Sequence, residues 1–549
     1  MWSIAISAGF LEVWAQRFWL SPDATSYLGI ATAYLHGDWT SAIDGYWSPF
    51  FSWLLAVSFW LFHPNPYWES TSLHLLNFLA LLVSLLTFEF FFRAFLRLRN
   101  QVSSTIQENE KLPDLGWWAL GYGLFLSTSL LVLTASVTTP DVWLSAWTYL
   151  IVGLLLRIRI SGGSPYLFAA LGFALACAYL TKAFYFPLSF AFLITAWLCA
   201  GNPKRTVKHA ILGCAVFFLV AGPWVAALSR AKGRLTFGDA GAMNFAMMID
   251  ELPRPAAWHG ENGTGTPKHP VRQLLSQPHV FEYARPVSES RPLSFDWSYW
   301  MEGIRPHFRL IGLLKVLRQS AGTFFLILLI QIECAVGLLA LLFLSNPQSG
   351  WRRLLFREWY LWAPPLIACL AYAVVHVEPR LVAPFVLLCW IACFSCALSA
   401  TINIPRRFAL AVVFAVLAVI GLRVAKYSVS NLLAAFAKQE NVDWQVSQSL
   451  RQMGLHPGDK VSGLGLTWRV NWARLAGLTV ISEIPFGDEK AYWTATPEEK
   501  LKVLQLLAGT GATVLVTADP PFCAIDEGWI PLGDTGFYAR RLPAQPPNP

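Results

Sequence analysis

Apolar runs of about 16–25 residues recur along most of this chain, separated by short polar loops. A run of that length crosses a hydrocarbon core of roughly 30 Å as a helix, and a backbone in lipid must satisfy its own hydrogen bonds. The pattern therefore restricts the chain to a bundle of membrane helices. Charge agrees: 13% of the residues are charged, against roughly 25% in a soluble domain. Several of the 26 tryptophans (Trp117, Trp118, Trp143, Trp224, Trp359, Trp362) sit at run ends, where an amphipathic ring favours the bilayer interface.

The formal charge of +8 does not point to nucleic acid, because Lys and Arg cluster in short loops between the runs. Arg93, Arg97 and Arg99, then Arg157 and Arg159, then Lys204, Arg205 and Lys208, then Arg352, Arg353 and Arg357, and finally Arg406 and Arg407 mark the cytoplasmic side. That threads about eleven spans, with the N-terminus inside and the C-terminus outside. Met1 to Trp14 is short and contains Glu12, which predicts an amphipathic or truncated first helix. Trp47 to Phe62 reads as a re-entrant or interfacial helix, since a span there would put the arginines after residue 92 outside. Eight of the nine cysteines lie in or beside apolar runs. Neither a disulfide framework nor a zinc pattern is indicated, and Cys393 and Cys396, which have that spacing, fall inside a span.

The expected organisation is a membrane domain over residues 1–429, with outer segments 14–70 and 229–318, and a small soluble α/β domain over 430–549. Candidate strands in the latter are Lys460–Leu464, Leu478–Ile484, Ala512–Thr517 and Gly536–Arg540, with an amphipathic helix near Pro497 to Leu507. Gly463-Leu-Gly465 resembles the start of a dinucleotide fingerprint, but Trp468 stands where the third glycine belongs, so a tight turn is the better reading. Asn262-Gly-Thr264 fits a glycosylation acceptor by chance.

Two acids share a local grammar. Ser21-Pro22-Asp23 and Thr139-Pro140-Asp141 each read as cap, first helical residue and first-turn carboxylate, at a positive helix end that favours the ionised form. Helix capping accounts for either motif alone, whereas two on one face point to function. His376-Val-Glu378-Pro379-Arg380 gathers three ionisable residues at the outer end of a span, where each costs about 2.5–3.5 kcal/mol if drawn to mid-bilayer. Arg380 offers a fork suited to phosphate oxygens. Lys182 lies at the tip of an outer hairpin, where snorkelling is the ordinary role. The long outer segment holds His269 together with Glu282, Glu289, Asp296, Trp297, Tyr299, Trp300 and Glu302, an acid-and-aromatic mixture like sugar-binding surfaces.

The set Pro22-Asp23 to Tyr27 and Ala31, His36-Gly-Asp38-Trp39, Trp47-Ser-Pro49, Thr139-Pro-Asp141, Leu180-Thr-Lys182, Pro223-Trp224 and Glu378-Pro-Arg380 with Pro384 resembles the GT-C superfamily of membrane glycosyltransferases. The nearest branch is that of protein O-mannosyltransferases and bacterial aminoarabinose transferases, and the likeness covers about residues 20–400. It implies a GT-C-like α-helical polytopic membrane protein that takes a polyprenyl-phosphate-linked sugar at the periplasmic side of a bacterial-type inner membrane. The transfer would be inverting, to a protein, lipid or glycan acceptor. By the same resemblance Asp23 is the catalytic base and Asp141 a second catalytic acid. Lys182 and Arg380 would hold the lipid phosphate, with Tyr27, His376, Glu378 and His269 as further substrate-binding candidates. Ser48 replaces a charged residue of the aminoarabinose branch, and the C-terminal α/β domain differs from the luminal modules of the mannosyltransferases. Asp-Asp and Asp-x-Asp motifs are absent around Asp141, so the sequence does not support metal dependence, and it assigns no cofactor. Two other classes compete: a transporter or flippase of lipid-linked precursors, and an inactive relative with a binding role.

Overall fold

The computed structural model describes residues 1–102, 112–252, 258, 260, 263–283, 301–344, 358–400, 406–437, 439–466 and 469–543. Asn262, Glu289, Asp296, Trp297, Tyr299, Trp300, Arg352, Arg353, Arg357 and Trp468 lie outside them.

Helices form along the apolar runs, and proline sets many of their starts, because the missing N–H falls where no intrahelical partner exists. In chain order they are α1 Trp2–Ala15, α2 Pro22–His36, α3 Trp39–Ala42, α4 Pro49–Phe62, α5 Glu69–Val102, α6 Asp114–Ser127 with a π turn to Val132, and α7 Asp141–Ser161. There follow α8 Pro165–Thr181, α9 Tyr185–Cys199, α10 Pro203–Lys232, α11 Ala240–Met248, α12 Leu310–Ile330, α13 Ile332–Leu344, α14 Trp359–Ala373, α15 Pro379–Ala400 and α16 Arg406–Phe436. Among the described residues, seven helices (α5, α6, α7, α10, α12, α15 and α16) are long and apolar enough to cross a membrane, and six further apolar helices are shorter. The chain is a multi-pass membrane protein. Helix α1 is short, as expected, but it has no charged face: Glu12, its one charged residue, is buried.

Helices α5 and α7 pack along each other at the centre, and α8 packs on α10. At the second contact a Cβ on Gly172 would lie 2.0 Å from the Gly213 carbonyl oxygen, so only glycine permits that approach. Outside the bundle, Leu219, Phe343, Phe414 and Leu422 are exposed. Such a belt matches lipid, whereas a monomer in water rarely shows one so large.

The C-terminal segment forms a sheet of order β1-β2-β4-β3-β5-β7-β6, in which β3 Lys460–Leu464, β4 Thr479–Ile484 and β5 Val514–Ala518 are parallel. Strands β6 Ile530–Pro531 and β7 Phe537–Arg541 add antiparallel at one edge. The other edge comes from the long segment after α11: β1 Arg272–Ser276 and β2 His279–Glu282 form a hairpin, and β2 pairs antiparallel with β4. Both faces of the parallel centre are covered, as such sheets require. Helices α17 Val442–Gln452 and α18 Asn471–Ala476 supply Val446, Leu450 and Trp472 on one face. Helices α19 Glu489–Thr494 and α20 Pro497–Gly509 supply Tyr492, Val503 and Leu507 on the other. Thr496 and Glu499 close a capping box at the start of α20.

Helix α18 also ties the sheet to the bundle. Arg474 Nη1 lies 2.5 Å from Glu69 Oε2 of α5, and its Nη2 donates to Thr32 Oγ1 of α2 at 3.2 Å. Only 7% of the Arg474 side chain is exposed, and leaving one partner of such a pair alone costs about 3–5 kcal/mol. Arg474→Ala is expected to lower the melting temperature of the detergent-solubilised protein, and the Arg474→Met, Glu69→Leu double substitution to recover most of it. Equal melting of wild type and Arg474→Ala would show that the junction is held elsewhere.

Candidate active site

Two loops bring two acids to one place. Ser21 is extended, its hydroxyl accepts the Ala24 N–H at 3.4 Å, Pro22 opens α2, and Asp23 falls in the first turn. The Ser21 hydroxyl is 2.7 Å from that of Thr138, which also accepts the Ser21 N–H at 3.1 Å. Helix α7 differs from the expected pattern: it starts at Asp141, with Pro140 at the cap position and no side-chain cap. Thr139 does not cap because its hydroxyl donates to Asp141 Oδ2 at 2.6 Å and accepts from Arg380 Nη1 at 2.8 Å.

Buried polar side chains hold this second loop from behind. Glu12 Oε1 accepts the Ser136 N–H at 2.9 Å and its hydroxyl at 3.0 Å. The Asn77 amide donates to the carbonyls of Val137 and Thr139, the latter at 3.3 Å. His74 Nε2 lies 2.8 Å from the Trp19 carbonyl and fixes the chain leading into α2.

Arg380, at the start of α15, joins the acids. Its Nη2 donates to Asp23 Oδ2 at 2.9 Å, its Nη1 reaches Asp141 Oδ2 at 3.4 Å, and its Nε donates to Glu378 Oε2 at 2.6 Å. Lys182 Nζ donates to the other Asp141 oxygen at 2.6 Å. His376 Nε2 lies 3.0 Å from Glu378 Oε1. Three carboxylates thus face the Arg380 guanidinium and the Lys182 amine, with His376 at the edge. Asp141 is 1% exposed and Asp23 31%, so Asp141 is the enclosed partner and Asp23 the one open to a ligand. Burial works to raise the pKa of Glu378, but the hydrogen bond from His376 and the Arg380 guanidinium bring it well below the usual glutamate value.

Tyr27 stands one turn after Asp23, buried edge-on against Trp47 and Phe51 with ring centroids 5.0 and 5.3 Å away. Burial, reinforced by Asp141 and Asp23, holds its hydroxyl neutral far above its ordinary pKa. His269 does not join the cluster: its Nε2 lies 3.3 Å from Glu302 in the long segment. Reading the sequence gave Thr139 only as a helix cap, and it missed Tyr46, which stands near Asp23 and Glu378. The Tyr46 hydroxyl donates to Asn244 Oδ1 at 3.4 Å, and burial with the nearby Asp23 and Glu378 raises its pKa. A hydroxyl beside a Pro-Asp pair was the available signal for Thr139; nothing local marks Tyr46.

A partly exposed carboxylate can accept a proton, and the arginine fork beside it, backed by an enclosed Asp–Lys pair, can hold a phosphate. The arrangement belongs to a polytopic helical membrane protein with a lipid-facing belt and a membrane-side cluster of charges. Among solved structures, the chain is similar to ArnT from Cupriavidus metallidurans in the apo state, with 12% identity and a TM-score of 0.53 over 98% of this chain and 97% of that one. It is likewise similar to the same protein bound to undecaprenyl phosphate, with 13% identity and a TM-score of 0.54 over 98% of each chain. The apo oligosaccharyltransferase of Archaeoglobus fulgidus aligns over 94% of this chain and 69% of that one, with 14% identity and a TM-score of 0.48. No protein-family model and no curated protein sequence matches. The fold is therefore that of the ArnT structures, the GT-C-like fold expected from the sequence.

Asp141→Asn leaves Lys182 and Arg380 without their enclosed partner, at a cost of about 3–5 kcal/mol. Asp23→Asn removes a more exposed pair, worth about 0.2–1 kcal/mol. Thermal unfolding is expected to show the larger loss for Asp141→Asn; the reverse order would make Asp23 the structural partner. For Glu378 the folded pKa is depressed, so its contribution is present above the ordinary value of 4.5 and is lost as pH falls through the lower folded value. The melting-temperature gap between wild type and Glu378→Gln is expected to be widest near neutral pH and to narrow below 4.5. A gap that widened with acidification would contradict the pairing.

Proposed function

We propose that this chain is a membrane glycosyltransferase that moves a sugar from a polyprenyl-phosphate donor to an acceptor on the periplasmic side of a bacterial-type inner membrane. The observation that carries the reading is Arg380, one guanidinium shared by Asp23, Asp141 and Glu378. The fold supports it too, since the ArnT structure of the same fold is bound to undecaprenyl phosphate. Residues 1–429 form the transferring part, with the N-terminus cytoplasmic, and residues 430–549 stand on the periplasmic side.

In the reaction the acceptor's nucleophilic atom attacks the anomeric carbon as its proton passes to Asp23. The bond from that carbon to the phosphate oxygen breaks, the electron pair leaves with the polyprenyl phosphate, and one displacement inverts the centre. Arg380 and Lys182 stabilise the charge that builds on the leaving phosphate. The donor phosphate competes with Asp23 for the Arg380 fork, so donor binding frees the base. Asp141 keeps both cations in place, while Tyr27, Glu378 and His376 line the donor and acceptor side.

A second reading, movement of a lipid-linked precursor, draws on the pair Arg423–Glu333, 3.0 Å apart and within the apolar helices α16 and α13. That pair has a local role, because Arg423 also donates to the Ile330 carbonyl where α12 breaks from α13.

Membranes bearing wild type and Asp23→Asn, given a panel of polyprenyl-phosphate sugars, distinguish these readings. Transfer by wild type, reduced about 10²–10⁴-fold in Asp23→Asn at equal protein level, is expected. Equal rates would remove Asp23 as base. Absence of transfer with every donor would favour lipid movement or a binding role.

A further inference from the structure

A crevice of 610 Å³ opens at the carboxyl ends of β3 and β5. The chain leaves β3 toward β4 on one side, then crosses back through α20 to β5 on the other. This reversal is the switch point at which doubly wound sheets bind ligands, in the gap between the two outgoing loops. The transfer chemistry makes no use of it.

The lining defines the ligand. Arg469 and Lys490 supply donors, Glu489 and Asp519 supply acceptors, and Trp493 and Phe486 supply aromatic surface. Two cations against two carboxylates give no net pull on an anion. Nor do the described residues form a phosphate cradle. Gly465 takes the left-handed turn after β3, with φ +69°, but the next helix, α18, starts only at Asn471 and has six residues. Aromatic plates with balanced donors and acceptors suit the apolar faces and hydroxyls of a neutral saccharide. Asp519 sits in the crevice at φ +48°, a conformation that a non-glycine residue adopts at a cost and that clusters at ligand sites. Its N–H bonds the Gly536 carbonyl at 2.8 Å, and its carboxylate is 81% exposed, 3.8 Å from Arg469 Nη1.

Arg469 also lines a second pocket of 670 Å³, where the sheet domain meets the α1–α2 turn at Ser21 and Pro22. Asn471 lines that pocket too; it is 7% exposed, and its Oδ1 has no hydrogen-bond partner among the described residues. Arg469 is the residue common to the two linings.

We propose that this crevice is a binding site for a neutral oligosaccharide, with Trp493 as the stacking surface and Arg469 and Asp519 as principal hydrogen-bonding groups. Binding there is separate from transfer, so failure of the transfer assay leaves the inference standing and failure of binding leaves the proposed reaction standing. The test is calorimetric titration of the full chain in lipid nanodiscs with maltotetraose, cellotetraose, chitotetraose and mannotetraose. Saturable binding of at least one is expected, weakened about tenfold or more in Arg469→Ala and in Asp519→Ala. Both side chains are mostly exposed, so these variants keep the fold, and Trp493→Ala, which removes the stacking surface, is expected to weaken binding as well. Lack of saturable binding by all four sugars would overturn the proposal, as would binding unchanged in both charge variants. Tighter binding of inorganic phosphate, lost in Arg469→Ala, would overturn it in favour of an anion site.

Discussion

Arg380 presents Nε, Nη1 and Nη2 to carboxylates from three separate stretches of chain, at Glu378, Asp141 and Asp23. Its position at the start of α15 is electrostatically poor for a cation, because the positive end of that helix dipole faces it. The carboxylates reverse the balance, and two of them, Asp23 and Asp141, sit in the first turns of helices of their own. A planar fork meets three acceptors in fixed directions, which a lysine ammonium does not do. Lys182 then completes the enclosed half by pairing with the second oxygen of Asp141. The result is a cluster with one closed acid and one open acid, and the proposed division between anchor and base follows from that asymmetry.

Such a cluster requires its loops to stay put. Desolvating charges is expensive, and a pair repays the cost only when its geometry is held. The holding groups come from the membrane helices: Glu12 of α1 and Asn77 of α5 bind the backbone of residues 136–139, and Ser21 and Thr138 bind each other. Their burial is costly in itself, yet each spends its polar atoms on a loop that would otherwise carry unpaired backbone groups. The sheet domain grips the same region through Arg474, which reaches both α2 and α5. One helix, α2, therefore carries an acid in its first turn and a docking residue near its last.

Much of this was legible in the sequence because it is local. Run length and basic loops determine membrane helices, and Ser-Pro-Asp reads as a capped first turn, which Ser21, Pro22 and Asp23 form. The strands of the parallel centre alternate or run apolar between turn residues, and β3 begins and ends where expected. What was not legible is long-range. Glu12 looked like the mark of an amphipathic helix, whereas it is a buried acceptor for Ser136, 124 residues away. In the hairpin β1–β2 the first strand is exposed or half-buried and only Val280 and Phe281 of the second are buried, so its pattern carries little burial signal, and its pairing with β4 depends on chain some 200 residues on. His269 looked like a site residue by composition, but its partner is Glu302 within the same segment. Thr139 looked like a cap because capping and carboxylate binding use the same hydroxyl, and Arg380 decides between them.

The central claim is that a lipid phosphate competes with Asp23 for the Arg380 fork. A structure of the chain determined with undecaprenyl phosphate bound tests it directly. The account predicts phosphate oxygens within hydrogen-bonding distance of Arg380 or Lys182, with the Asp23 carboxylate released from Arg380 Nη2 and the Asp141–Lys182 pair kept. A phosphate bound away from both cations, with the Arg380–Asp23 contact intact, would contradict it.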